Sequence, residues 1–160
     1  MDMTDLKETP EGALELQGAP QPRTENGLLP CNAKKILLVD DESNIRTLVK
    51  TMLKHVYPHC EVDEAGNGAE AVEAFRTGHH GVLLMDMRMP VMSGEDAFRA
   101  IKGICAGEHR QMPAVLFCTG YDPNDALRDT VEADTRHGFL KKPIRFAALT
   151  EALGKRLPSA

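Results

Sequence analysis

The sequence predicts an α/β fold in which helices cover both faces of a parallel sheet. After residue 33, five short apolar runs alternate with five amphipathic stretches, which is the pattern of repeated β/α units. Three of the runs, KILLV at 35–39, VLLM at 82–85 and AVLFC at 114–118, lack the polar alternation of a half-exposed strand, as expected of strands buried on both faces. The length of 160 residues suits one domain with a tail.

Composition argues against several classes of protein. The longest uninterrupted apolar run has five residues, whereas a membrane-spanning helix needs roughly 20, and the acidic N-terminus does not have the pattern of a secretory signal. We therefore expect no membrane contact and a cytoplasmic location. With a net charge of −5 and no Trp, the sequence does not indicate direct nucleic-acid binding. The four cysteines include no C-x-x-C pair, so reduced thiols are expected.

Residues 1–33 differ from the rest of the chain. They hold six acidic side chains, two basic ones and four of the ten prolines. Their apolar surface is too small to offset the entropy lost on ordering. We expect a mostly disordered acidic tail with a marginal helix near Glu11–Gln17, followed by one domain over residues 34–160.

The first two β/α units lie between Lys35 and Gly78. A strand is predicted over Lys35–Val39, and apolar residues on one helical face predict a helix over Asn44–Tyr57. A weaker strand at Glu61–Ala65 precedes a helix that ends near Gly78. The positions expected to face inward are Ile45, Leu48, Val49, Met52, Leu53, Val56, Ala71, Val72 and Phe75.

Three further β/α units complete the predicted domain. Each has a short apolar run followed by an amphipathic stretch. The strands are predicted at Val82–Met85, Ala114–Cys118 and Gly138–Lys141, and the helices at Gly94–Ala106, Pro123–Ala133 and Arg145–Leu157. In the last helix, Phe146, Leu149 and Leu153 are expected to be buried.

Polar side chains follow four of the five predicted strands. Asp40 and Asp41 follow the first strand, Asp86 the third, Thr119 the fourth and Lys142 the fifth. In an open parallel sheet, ligands bind outside the carboxyl ends of the strands, so these groups should converge on one edge. Two carboxylates about 4 Å apart repel by about 4 kcal/mol at an effective dielectric of 20. The cluster therefore predicts a bound cation, and oxygen ligands of this kind suit Mg²⁺.

Four segments of the chain resemble the receiver domain of bacterial two-component response regulators. They are KILLVDDE at 35–42, LLMDMRMPVMSG at 83–94, VLFCTGYD at 115–122 and FLKKPI at 139–144. The resemblance covers about residues 34–157 and implies a flavodoxin-like, doubly wound, five-stranded parallel sheet in the order 2-1-3-4-5 with five helices. It also implies a domain that accepts a phosphoryl group from a sensor histidine kinase or a phosphotransfer protein.

The same resemblance implies roles for the residues at the strand ends. Asp86 would be the phosphoacceptor. Lys142 would pair with Asp86 and then with a phosphoryl oxygen, while Thr119 would hydrogen-bond another oxygen. Pro143 would fix the loop after Lys142 through a cis peptide bond.

The magnesium ligands follow from the resemblance in the same way. Asp41, Asp86 and the backbone carbonyl of Arg88 would bind Mg²⁺ directly, and Asp40 would bind it through water. Both side chains two residues beyond Asp86 and Thr119 border the site and could control the entry of water. These two side chains belong to Arg88 and Tyr121, and Gly120 borders the site next to Tyr121.

The family signals through a conformational switch. Thr119 would move toward the phosphoryl group and let Phe139, which stands where a tyrosine could be, turn inward. The surface of the fourth helix, fifth strand and fifth helix would then contact a downstream protein effector.

Three other functions would need different residues at the same positions. A haloacid-type phosphatase needs a second acid where Arg88 stands, a cobalamin-binding domain needs a histidine there, and the acidic loop after the first strand repels the phosphate of a flavin nucleotide. Two alternatives stay open. The chain could be the receiver module of a hybrid kinase or phosphorelay, or a protein-binding module that is never phosphorylated.

Overall fold

The computed structural model describes residues 22–159, and within them five strands alternate with five helices. All neighbouring strands are parallel, which confirms the predicted sheet. In chain order the elements are β1 (Asn32–Val39), α1 (Ser43–Val56), β2 (Glu61–Ala65), α2 (Gly68–Gly78), β3 (His80–Asp86), α3 (Gly94–Glu108), β4 (Ala114–Thr119), α4 (Asp125–Glu132), β5 (Gly138–Lys141) and α5 (Phe146–Gly154). The strand order is β2-β1-β3-β4-β5, as the resemblance implied.

The sheet separates two apolar layers. Successive residues of β1, such as Ile36 and Leu37, point to opposite faces, and both are fully buried. The face with Leu37 packs against α2, α3 and α4, whereas the face with Ile36 packs against α1 and α5. Burying a side chain of this size contributes about 1.5–3 kcal/mol to the free energy of folding, so both apolar layers stabilise the sheet.

Part of the segment that the sequence assigns to the tail packs against the domain. Leu29 forms a parallel bridge with Arg110, whose guanidinium donates to the Pro30 carbonyl at 2.6 Å. Cys31 packs against the apolar layer, and β1 begins at Asn32 rather than at Lys35. Backbone pairing therefore extends the domain into the predicted tail. The helix predicted near Glu11–Gln17 lies outside the described residues.

Two residues that were expected inside are exposed. Leu48 is 58% exposed because the buried stripe of α1 is centred on Val49 and Leu53. Successive residues of a helix are about 100° apart, which places Leu48 outside that stripe. Phe146 is 50% exposed because it lies at the start of α5, at the margin of the stripe that buries Leu149.

The loop between β3 and α3 passes close to the end of β3. A Cβ atom on Gly94 would lie 2.1 Å from the carbonyl oxygen of Asp86, so this approach requires glycine. The side chain of Ser93 caps α3 by accepting from the Asp96 N–H at 3.1 Å. Together these contacts fix the loop next to Asp86. None of the helices within residues 22–159 is both long enough and apolar enough to cross a lipid bilayer.

Candidate functional site

The structure brings together the polar side chains predicted at the strand ends. Asp40, Asp41 and Asp86 each place a carboxylate oxygen within 4.8 Å of the others. Asp40 and Asp86 are buried, whereas Asp41 is exposed. A cavity of about 270 Å³ opens beside them and is lined by Asp41, Asp86, Met87, Arg88, Thr119, Gly120, Tyr121 and Lys142.

Lys142 is the counter-charge inside this cluster. Its Nζ lies 2.9 Å from Asp86 Oδ1 and 3.6 Å from Asp40 Oδ2. Burial raises the pKa of Asp86 above its ordinary value, the contact with Lys142 opposes that rise, and the charges of Asp40 and Asp41 add to it. Burial lowers the pKa of Lys142, but the hydrogen bond to Asp86 and the nearby carboxylate charges outweigh burial and raise it. The ammonium therefore stays charged, and it pairs with two of the three carboxylates, those of Asp86 and Asp40.

Backbone contacts hold Asp40 in one position. Its N–H donates to the Ala65 carbonyl at 3.2 Å, and its Oδ1 accepts from the Glu42 N–H at 2.9 Å. The second contact closes a turn through the side chain, as is common for aspartate. Asp40 is thus fixed next to β2 with Oδ2 turned toward Lys142.

The donor set fits a hard divalent cation. Three carboxylates facing one ammonium leave an excess of negative charge in a half-buried cavity, which a divalent cation would neutralise. Carboxylate oxygens combined with water are the ligands that Mg²⁺ prefers. Arg88, two residues beyond Asp86, lines the same cavity.

Thr119 lies at the same edge but turns its hydroxyl into its own loop. Its Oγ1 donates to the Tyr121 carbonyl at 2.7 Å and accepts from the Tyr121 N–H at 3.2 Å. Phe139 is half-buried, and its ring centroid lies 5.9 Å from that of Phe117. The Thr119 hydroxyl is not hydrogen-bonded to Asp86.

Arg88 and Tyr121, which the sequence placed at the border of the site, contact each other. The guanidinium of Arg88 lies 4.1 Å from the centroid of the Tyr121 ring, and its Nε donates to the Tyr121 hydroxyl. Both residues also line the cavity that contains Asp86.

The end of β5 places Lys142. Its backbone N–H donates to the Thr119 carbonyl at 2.8 Å, which ties it to the end of β4. The Lys142–Pro143 peptide bond is cis, as the resemblance implied.

One residue at the site was missed by the sequence analysis. Arg46 donates from Nη1 to the backbone carbonyl of Asp40 at 2.6 Å. A basic residue in the first turn of the helix that follows an acidic loop is a signal that could have indicated this contact.

Comparisons with known proteins identify relatives of this chain. The sequence profile of the response regulator receiver domain matches residues 36–154. The chain is 31% identical over 121 residues to the chemotaxis protein CheY of Halobacterium salinarum, covering 76% of this chain and 94% of that protein.

Relatives also occur inside sensor kinases. The chain is 34% identical over 124 residues to the autoinducer 1 sensor kinase/phosphatase LuxN of Vibrio campbellii, covering 76% of this chain and 13% of LuxN. The fold of this chain also matches the receiver domain of a sensor histidine kinase from Pseudomonas aeruginosa, with a TM-score of 0.62 and 27% identity. The match covers 79% of this chain and 98% of that one. That structure has a magnesium ion coordinated in its active-site cleft.

Proposed function

The chain belongs to the family of response regulator receiver domains, and we propose that Asp86 accepts the phosphoryl group that the domain receives. The contact that supports this role most directly joins Lys142 Nζ to Asp86 Oδ1 at 2.9 Å. It lies inside a cavity, beside two further carboxylates. Asp40 is already engaged by the Glu42 N–H, and Asp41 has no contact with Lys142. Asp86 therefore combines an activating cation with access to the cavity.

The donor is a phosphohistidine of a sensor histidine kinase or a phosphotransfer protein. A carboxylate oxygen of Asp86 attacks the phosphorus, and an oxygen–phosphorus bond forms while the phosphorus–nitrogen bond breaks. The electron pair of the broken bond leaves with the imidazole of the donor. We also propose a cytoplasmic location, because the kinase histidine would receive its phosphoryl group from ATP there.

The chain supplies charge and position. Lys142 is close enough to Asp86 to move from its carboxylate to an oxygen of the bound phosphoryl group, where it stabilises negative charge. Asp41, Asp86 and the Arg88 carbonyl would hold Mg²⁺ directly, and Asp40 would hold it through water. When bound, Mg²⁺ neutralises charge on the carboxylates and on the phosphoryl oxygens.

The output follows from Thr119 and Phe139. The Thr119 hydroxyl would exchange its bond with the Tyr121 carbonyl for one to a phosphoryl oxygen, which opens space beside Phe139. Movement of Phe139 against Phe117 would then change the surface of α4, β5 and α5, which we propose as the face that contacts a downstream protein effector. Resemblance to the receiver segment of LuxN supports a second arrangement, in which the domain is the receiver of a hybrid kinase or phosphorelay.

Phosphoryl uptake tests the proposal directly. The full chain is incubated with acetyl phosphate, with Mg²⁺ or with EDTA, and its intact mass is measured. We expect the phosphoryl mass increment with Mg²⁺, its loss with EDTA, and its loss in Asp86→Asn. Asp129→Asn, which neutralises an exposed carboxylate on α4, is the matched control and should be labelled like the wild type. Labelling of Asp86→Asn would place the acceptor elsewhere, and no labelling of the wild type would favour a protein-binding module that is never phosphorylated.

A further inference from the structure

Arg46 connects the acidic loop after β1 to the neighbouring strand β2. Its Nη1 donates to the backbone carbonyl of Asp40 at 2.6 Å, and its Nε donates to Glu64 Oε1 at 3.1 Å. The Asp40 carbonyl belongs to the planar peptide unit that joins Asp40 to Asp41. One guanidinium therefore holds the peptide between two members of the acidic cluster without contacting either of their carboxylates.

The far end of this connection is itself anchored. Glu64 accepts from Lys50 Nζ at 3.0 Å through its second carboxylate oxygen. Hydrogen bonds from Lys50 and Arg46 lower the pKa of Glu64 even though partial burial opposes this shift, so Glu64 stays ionised. The Arg46 side chain is only 20% exposed and uses two sides of its rigid fork, so its orientation is fixed.

Asp41 depends on this anchor more than Asp40 does. Asp40 is also held by its N–H and by its own carboxylate. By contrast, the Asp41 carboxylate makes no hydrogen bond or ion pair with another residue of the range 22–159, although it lies within 4.8 Å of Asp86 and Asp40. Its direction is therefore set by its backbone, at the peptide that Arg46 holds, against the repulsion of two neighbouring carboxylates.

We propose that Arg46 is a positioning residue for Mg²⁺ binding, acting through the Asp40 carbonyl to direct the Asp41 carboxylate toward Asp86. This inference rests on the proposed function, because it takes the acidic cluster as the magnesium site. Arg46 would contact neither the metal nor the phosphoryl group.

Removing Arg46 would change the affinity for Mg²⁺ in two ways that have opposite signs. A guanidinium near a divalent cation repels it, so loss of the charge alone would tighten Mg²⁺ binding. Loss of the contact with the Asp40 carbonyl frees the peptide and would weaken binding. Contacts that orient metal ligands typically change metal affinity about 10- to 100-fold.

The test is a titration of the full chain with Mg²⁺ alone, in which isothermal calorimetry measures the affinity. We expect Arg46→Gln to bind Mg²⁺ about tenfold more weakly than the wild type, and Arg46→Lys to recover part of the loss because its ammonium can reach one of the two acceptors. Lys54→Gln is the matched control, since it removes an exposed cation from the same helix and leaves the contacts of Arg46 in place. It should bind Mg²⁺ as tightly as the wild type or more tightly.

A second comparison separates positioning from a general effect on folding. In an Asp41→Asn background, Arg46→Gln should cause no further loss of affinity, because the ligand that it directs is already absent. If Arg46→Gln fails to fold, Glu64→Gln, which weakens the anchor of Arg46, gives the same comparison with a smaller expected loss. Binding by Arg46→Gln that equals or exceeds that of the wild type would overturn the positioning role and leave the proposed function intact. Absence of Mg²⁺ binding by the wild type would instead overturn the magnesium site itself.

Discussion

Lys142 Nζ lies 2.9 Å from Asp86 Oδ1 and, at 3.6 Å, also faces the carboxylate of Asp40. One ammonium is thus shared between two buried carboxylates, with Asp41 beside them. The pair is not an isolated salt bridge that stabilises the fold, because the cluster keeps an excess of negative charge. We therefore expect this edge of the sheet to oppose stability in the metal-free protein.

Replacing the proposed phosphoacceptor should leave the metal-free fold intact or make it more stable. Because the pKa of Asp86 is raised in the folded state, the stabilisation that comes with its protonated form is present at low pH and is lost as the pH rises through that pKa. Asp86→Asn removes the ionised form, and Lys142 keeps Asp40 as a partner. We expect the free energy of unfolding in EDTA at neutral pH to be unchanged or raised by about 1 kcal/mol.

Urea denaturation with Asp129→Asn as the control measures this change. The advantage of Asp86→Asn over the wild type should shrink as the pH is lowered toward the pKa of Asp86. A loss of stability of several kcal/mol at neutral pH would mean that the Lys142–Asp86 pair holds the fold together, contrary to the prediction.

The placement of the site could be predicted from sequence because it depends on topology. Once five β/α units are recognised, the carboxyl ends of the strands meet at one edge, and Asp40, Asp86 and Thr119 follow as neighbours. Side-chain pairs between loops could not be predicted in this way. The contact of Arg88 with Tyr121 depends on loop torsions that no periodic pattern encodes.

The same limit applies to burial at the margins of helices. Periodicity identifies which face of α1 is apolar but not where the sheet meets that face. The exposed Leu48 therefore differs from the prediction, although Val49 next to it agrees.

Val91 carries local backbone strain in the loop that leads to α3. Its φ is +70°, and its side chain is 82% exposed. The left-handed region costs an L-residue roughly 1–2 kcal/mol, and asparagine tolerates it better than a β-branched residue. We expect Val91→Asn to raise the free energy of unfolding by about 1 kcal/mol.

Val91→Thr is the matched control because it keeps the β-branched shape and should give no gain. Chemical denaturation of both variants decides the point. An equal effect of the two substitutions would assign any change to polarity rather than to the backbone.

His137 should make the stability fall on mild acidification. Its buried Nδ1 accepts from the Val115 N–H at 3.1 Å, so the neutral ring carries its proton on Nε2. A second proton, added at Nδ1, would face the N–H of Val115 and break this hydrogen bond. Burial lowers the pKa of His137 in the folded state. The stability that depends on the neutral ring is therefore full above the ordinary pKa of about 6.5 and is lost as the pH falls toward the folded-state value.

Denaturation at pH 7.5, 6.5 and 5.5 tests this dependence. His137→Asn can accept from Val115 through its amide oxygen, so it should reduce the change in stability over this range, although it loses the packing of the ring against Phe98. Some pH dependence should remain, since burial also lowers the pKa of His80. His55→Asn, at an exposed position on α1, should keep the dependence of the wild type; an unaltered dependence in His137→Asn would refute the assignment.

The Arg88–Tyr121 pair should slow the loss of the phosphoryl group from Asp86. Hydrolysis needs a water molecule in line with the bond between phosphorus and the Asp86 oxygen, and both side chains line the cavity that this water would enter. Neither is a small or amide side chain that could orient the water. A contact of this type at an exposed site is worth about 0.5–1 kcal/mol, which corresponds to a rate change of about two- to fivefold.

The decay of phosphorylated protein, followed by intact mass after the donor is removed, measures this effect. Tyr121→Ala and Arg88→Asn should each decay about two- to fivefold faster than the wild type, because each removes one of the two paired side chains that line the cavity beside Asp86. Tyr121→Phe keeps the ring beneath the guanidinium and should decay nearly as slowly as the wild type. If Tyr121→Ala and Arg88→Asn both decay at the wild-type rate, the pair does not shield the phosphoryl group and the water must approach from another side. If Tyr121→Phe instead decays as fast as Tyr121→Ala, the hydroxyl bond from Arg88 rather than the ring covers the cavity.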